Sequence, residues 1–129
     1  MVVLGVDPGR EKCGIAVVSK EEVLTQRVVS RREFLDVVIR LLDEYDVESI
    51  VLGDGTGSGE FLAEIRGALP DVNVETVDER STSEEARGRY WIHHRPKGWR
   101  RLLPTTMQVP PEPYDDYVAV ILAERYLSR

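Results

Sequence analysis

Apolar residues first run together at Val2-Val3-Leu4-Gly5-Val6 and stop at an aspartate, Asp7, followed by Pro8-Gly9. A short apolar run bounded by turn residues reads as a buried strand. A second run, Cys13 to Val18, begins almost at once, and Glu22 to Val29 alternates well enough to be a third strand. The connections are short, which favours antiparallel neighbours. The period then changes. Phe34, Leu35, Val38, Leu41, Leu42 and Tyr45 recur at helical spacing, behind Ser30 and Glu33 in a capping-box arrangement. Glu48 to Leu52 reads as a buried strand and Gly53 to Gly59 as a flexible loop. Phe61, Leu62, Ile65 and Leu69 form one face of a second helix, ended by Pro70. Val72 to Val77 is the fifth strand, closing on Asp78-Glu79-Arg80. Ser81 or Thr82 caps a third helix that runs to about Trp91 or His94, with Glu84 or Glu85 at the matching capping-box position. Residues 95–113 read as a long loop rich in proline and basic residues, and Tyr114 to Leu127 as a closing helix. Tyr117 to Ala123 is almost wholly apolar, so that last helix should be buried.

Three hairpin-linked strands followed by alternating helices and strands predict an α/β fold. Its sheet should be mixed and five-stranded, with helices on both faces. No repeat or linker interrupts residues 1–129, so one domain is expected. A chain of this length buries roughly two thirds of its unfolded surface. The single cysteine, Cys13, excludes an internal disulfide framework and a four-cysteine metal site. No apolar stretch approaches the roughly 20 residues that cross a bilayer, and no secretory leader is legible. The expectation is a soluble cytoplasmic protein.

Charge changes the picture. The formal net charge is −6, which by itself argues against a nucleic-acid partner. Residues 87–111, however, carry Arg87, Arg89, Arg95, Lys97, Arg100 and Arg101 and no acidic residue. That strip has a local charge of +6 and leaves −12 on the rest of the chain. A local positive field is what draws phosphates. Tyr90, Trp91 and Trp99 are interleaved with these cations, the equipment expected for gripping a backbone and stacking unpaired bases. His93 and His94 have no third ligand at zinc spacing and read as surface residues.

Three carboxylates stand at element ends: Asp7 after the first strand, Glu79 after the fifth, and Asp115 or Asp116 at the start of the last helix. If the first and fifth strands are parallel and close, all three meet at one sheet edge. Clustered carboxylates repel unless a cation sits between them, and oxygen donors suit Mg²⁺ or Mn²⁺. Two such ions activate water and stabilise the leaving oxygen in phosphodiester hydrolysis. The bland alternatives are a turn-forming Asp7, an exposed Glu79 and an Asp115 that only favours the helix dipole.

Asp7-x-Gly9-x4-Gly14, the segment Asp78-Glu79-Arg80-Ser81-Thr82-Ser83-Glu84-Glu85-Ala86, and Tyr114-Asp115-Asp116-Tyr117-Val118-Ala119-Val120-Ile121-Leu122 occur in order. Together they resemble the YqgF/RuvX family of RNase H-like nucleases, described as Holliday-junction resolvases and as nucleases maturing pre-16S rRNA. The resemblance spans nearly the whole chain. It implies a metal-dependent endonuclease with a triad of Asp7, Glu79 and Asp115, Asp116 being the fallback ligand. It also implies a pair of Mg²⁺ or Mn²⁺ ions and a branched-DNA or structured-RNA substrate. Arg80, Arg87, Arg89, Arg95, Lys97, Trp99, Arg100 and Arg101 are then the candidate nucleic-acid contacts. A homodimer would suit a two-fold junction, though no interface patch is legible.

Two departures from the family pattern stand out. Gly53-Asp54-Gly55-Thr56-Gly57-Ser58-Gly59 replaces the family's Gly-Leu-Pro type loop, and the segment from Tyr90 to Pro113 is unusually long. The glycine loop reads as a connector or a phosphate-approach loop, with Asp54 as an accessory ligand. Two other classes remain. A non-catalytic binding module could keep the fold. An actin-like or sugar-kinase-like phosphotransferase would use the Asp7 turn, but needs two such domains, and this chain is too short for both.

Overall fold

The computed structural model describes residues 1–55, 57–79, 82–94 and 113–128. Five strands form one sheet: β1 (Val2–Asp7), β2 (Lys12–Ser19), β3 (Val23–Ser30), β4 (Ser49–Gly53) and β5 (Asn73–Val77). The spatial order is β3-β2-β1-β4-β5. β1 and β3 pair antiparallel with β2, whereas β4 runs parallel to both β1 and β5. The expected mixed five-stranded sheet is present. β1 and β5 are parallel but not adjacent, because β4 lies between them.

Among the described residues, four helices cover the sheet: α1 (Phe34–Tyr45), α2 (Ser58–Ala68), α3 (Thr82–His93) and α4 (Asp115–Leu127). Side chains alternate across the sheet, so each strand feeds two cores. Leu4, Val6, Ile15, Val17, Ile50 and Leu52 pack with Phe34, Leu41, Phe61 and Ile65 of α1 and α2. Val3, Ala16, Val18 and Val51 pack with α3 and with the buried run Tyr117–Ala123 of α4. Strands covered on both faces need apolar residues at consecutive positions, hence the unbroken runs of β1 and β2. Among the described residues, no helix is long and apolar enough to cross a membrane.

Two helix starts differ from expectation. Ser30 ends β3 and does not open α1. Its Oγ accepts the Glu33 N–H at 3.3 Å, but this closes a turn that precedes the helix. A serine that accepts an N–H three residues on serves a turn as well as a helix. Thr82 does not cap α3 with its oxygen as acceptor. Its Oγ1 donates to the Glu79 carbonyl at 2.7 Å. Ser81 lies outside the described residues.

Candidate active site at the sheet edge

β1, β4 and β5 are mutually parallel, so their C-terminal ends share an edge. Asp7 is the last residue of β1, on the same face as Val3 and Gly5. It pairs with Gly14 on β2, and the β1–β4 register brings it level with Gly53. A glycine therefore flanks Asp7 on each side. Each missing side chain is replaced by a neighbour. A Cβ at Gly14 would lie 1.9 Å from the Asp115 carbonyl oxygen, so the start of α4 rests directly on β2. A Cβ at Gly53 would lie 1.9 Å from Glu79 Oε1, and one at Gly55 2.0 Å from Glu79 Oε2. The Glu79 side chain is laid back over the loop that follows β4, toward Asp7.

Bringing these acids together shifts their titration. Asp7 is pushed up to about 8, first by burial and then by the charges of Glu79 and Asp115. Glu79 is also raised, chiefly by burial, and its carboxyl lies within hydrogen-bonding reach of Asp7. Asp115 is raised by burial, against which the Lys12 ammonium pulls. Glu79 Oε1 is buried with no hydrogen-bond donor to take. Two facing carboxyls can be satisfied by one shared proton or by one cation, and an orphan buried oxygen fits the second as an open ligand position. The pair thus suits a hard divalent ion. Among the described residues, no group of three His, Cys, Asp or Glu side chains is arranged to hold one. Asp115 shares the field of the Asp7–Glu79 pair without closing it.

Asp116, the fallback ligand, is engaged elsewhere. Gln26 Nε2 on β3 donates to its Oδ2 at 2.9 Å, and its Oδ1 is buried without a partner. It is Asp115 whose charge reaches Asp7. Asp54 also differs from the sequence reading: its Oδ1 accepts the Glu79 N–H at 3.1 Å. The sequence offers the glycine loop as a connector or a phosphate-approach loop; in the fold Gly53 and Gly55 provide the slot for Glu79. A Gly-Asp-Gly run at the end of a buried strand, level with Asp7, was the available signal.

The basic strip is only partly visible. Arg80, Arg95, Lys97, Trp99, Arg100 and Arg101 lie outside the described residues. Arg89, expected to contact phosphate, is bound to Glu124 at 2.6 Å and Glu85 at 3.1 Å, tying α3 to α4. Arg87 is half-buried on α3. Tyr90 and Trp91 are core residues, 3% and 7% exposed, and offer no face to a base. Their rings meet edge-on at 5.2 Å, and Tyr90 packs against Tyr117 of α4. His93 and His94 are exposed, as expected; His94 Nδ1–H donates to the Tyr90 carbonyl at 3.2 Å.

No family model matches the chain. A protein of Phocaeicola vulgatus, named "Putative pre-16S rRNA nuclease", is 27% identical over 94 residues, covering 63% of this chain and 68% of the relative. Such relatives support the resemblance to the YqgF/RuvX RNase H-like nucleases. The fold agrees. Thermus thermophilus RuvC superposes with a TM-score of 0.62 at 18% identity, over 96% of this chain and 92% of RuvC. The same enzyme in complex with a Holliday junction substrate gives 0.59 at 17% identity, over 96% and 90%. The mixed sheet with helices on both faces is thus an RNase H-like fold.

Proposed function

We propose that this chain is a divalent-metal-dependent endonuclease that cuts structured nucleic acid, with precursor ribosomal RNA as its substrate class. The observation that carries the reading is the half-buried Asp7–Glu79 carboxyl pair with its buried, unpartnered Glu79 Oε1 at the C-terminal sheet edge. The name of the Phocaeicola vulgatus relative supports the choice of RNA precursor over DNA junction. Asp7 and Glu79 would hold Mg²⁺ or Mn²⁺, and Asp115 would complete the ligand set. Such a cation supplies a water of lowered pKa and offsets the charge that develops on phosphate oxygens. The chain's own residues supply the frame. Gly14 and Gly53 leave room beside Asp7 for the start of α4 and for the Glu79 side chain, partial burial shields the carboxyls from bulk water, and Lys12 offers a cation beside Asp115. Arg80, Arg87, Arg95, Lys97, Trp99, Arg100 and Arg101 are proposed to grip the substrate, within one cytoplasmic nuclease domain spanning residues 1–129.

The test is cleavage of a pre-16S rRNA fragment and of a four-way DNA junction in Mg²⁺ or Mn²⁺, by wild type and Asp7→Asn. Cleavage of the RNA that the substitution reduces to background supports the reading. Cutting of the junction alone moves the substrate to DNA. Binding without cleavage by either protein leaves a non-catalytic module and sinks the nuclease.

A further inference from the structure

We propose that Asp54 is a positioning residue that fixes the rotamer and reach of Glu79, and not a ligand itself. The inference rests on the reading of Asp7 and Glu79 as a metal-binding pair. Its basis is a substitution in the sheet ladder. β4 and β5 pair in parallel as far as Gly53 and Val77. The ladder takes one more step, because the Asp54 N–H donates to the Val77 carbonyl at 3.1 Å. In a continuing parallel ladder the Glu79 N–H would next go to the main-chain carbonyl of Asp54. It goes instead to the Asp54 side chain, Oδ1, at 3.1 Å.

This exchange has two consequences. The main chain after Asp54 is released from the strand and turns, which brings the Gly55 N–H onto the Glu79 carboxylate. Meanwhile Glu79 stays tied to the sheet by its own N–H, while its carbonyl accepts from Thr82 N–H at 3.1 Å and Thr82 Oγ1 at 2.7 Å. Held by both its N–H and its carbonyl, Glu79 lays its side chain in the slot over Gly53 and Gly55. Asp54 thereby links the loop geometry to the carboxylate facing Asp7. With its Oδ1 committed to an amide, Asp54 has the environment of a brace and not of an open ligand.

Two variants separate the roles. Asp54→Ala removes the acceptor, whereas Asp54→Asn keeps an amide oxygen that can take the same N–H. Mn²⁺ affinity is measured by calorimetry, and the exchange rate of the Glu79 amide by NMR on the metal-free protein. Asp54→Ala should weaken Mn²⁺ about 10–100-fold, the usual cost of losing a group that orients a ligand. It should also speed exchange at Glu79. Asp54→Asn should retain most of both. Unchanged affinity and protection in Asp54→Ala overturns the proposal. So does Asp54→Asn that keeps Glu79 protected but binds Mn²⁺ as poorly as Asp54→Ala, because the carboxylate would then be a ligand. If wild type and Asp7→Asn bind Mn²⁺ equally, the metal pair itself fails. The Glu79 exchange rate still decides whether Asp54 braces it.

Discussion

The two faces of the sheet are made from residues of different size. Toward α1 and α2 the strands present Leu4, Val6, Ile15, Val17, Ile50 and Leu52, side chains that interdigitate as an ordinary apolar core. Toward α4 the same strands present Gly5 and Asp7, Gly14 and Ala16, Val51 and Gly53. There the helix backbone itself fills the space: a Cβ at Gly5 would lie 2.2 Å from the Ala119 carbonyl oxygen. Side chains hop between rotamers, whereas a backbone held by a helix does not. The first face supplies apolar burial, and the second places carboxylates to within the tolerance of packed main chain.

Substituting the glycines beside Asp7 attacks the second face. Gly14→Ala drives a Cβ into the Asp115 carbonyl and to 2.7 Å from the Asp116 nitrogen, and neither atom can swing aside. The first turn of α4 must lift, at a cost on the order of 1–3 kcal/mol, and cleavage should fall to background. The atoms nearest a Cβ in Gly53→Ala are Oε1, Cδ and Cγ of Glu79, a side chain that can rotate away. Its melting temperature should stay close to wild type while Mn²⁺ affinity falls about 10–100-fold. Equal melting losses in the two variants would break the distinction between backbone and side-chain neighbours.

The opposite face should show the reverse pattern. Phe34 is fully buried and meets Phe61 edge-on at 4.8 Å, with the Arg31 guanidinium 4.1 Å from the Phe61 ring. Phe34→Ala should cost about 3–5 kcal/mol by denaturant unfolding. Mn²⁺ affinity of the molecules that remain folded should hold, because none of these rings touches Asp7, Glu79 or Asp115. A large affinity loss would show that the two faces are coupled through the sheet.

Acidity offers a lever spread over several pH units. Asp7 titrates near 8 when folded, against a reference of 3.8. Between those values the folded state holds a proton that the unfolded chain has lost. Stability of the metal-free protein therefore falls as pH rises from about 4 to about 8, by at most about 1.4 kcal/mol per pH unit for this group. Below that window the Asp7 contribution is fully present; above it, it is gone. Melting curves in a chelator should show the slope, Asp7→Asn should flatten it, and added Mn²⁺ should offset it by binding the ionised pair. A wild-type slope no different from that of Asp7→Asn would remove the basis for placing the Asp7 carboxyl against Glu79 and Asp115.

Much of this was readable before the fold was known. Apolar runs and, for β3, polar–apolar alternation located the five strands, and strand-end logic brought Asp7, Glu79 and Asp115 together. What escaped depended on neighbours. Tyr90 and Trp91 looked like base-stacking rings because cations surround them in sequence. Ala86 and Tyr90, however, lie four residues apart on the face that α4 covers, and Trp91 packs into the same core. Arg89 looked free, although Glu85 sits one turn before it. Glycine is the hardest case, since it adds nothing to a hydrophobic pattern. Its meaning at positions 14, 53 and 55 lies in the atoms that occupy its missing Cβ.

The smallest prediction turns that point around. Gly67 in α2 and Gly88 in α3 are exposed, and a Cβ at either would meet nothing within 4 Å. Neither has a positive φ that would penalise a side chain. A glycine in a helix costs backbone entropy that alanine does not, roughly 0.5–1 kcal/mol at the mid-helix Gly88 and less at Gly67, the penultimate residue of α2. Gly67→Ala and Gly88→Ala should each raise the melting temperature by a few degrees and leave Mn²⁺ affinity alone. Gly88 is the sharper probe, because α3 follows directly from the Glu79 turn through Thr82. If stiffening α3 there changes metal affinity, the helix takes part in placing Glu79. The glycines of this chain would then not divide cleanly into those that make room and those that merely loosen a helix.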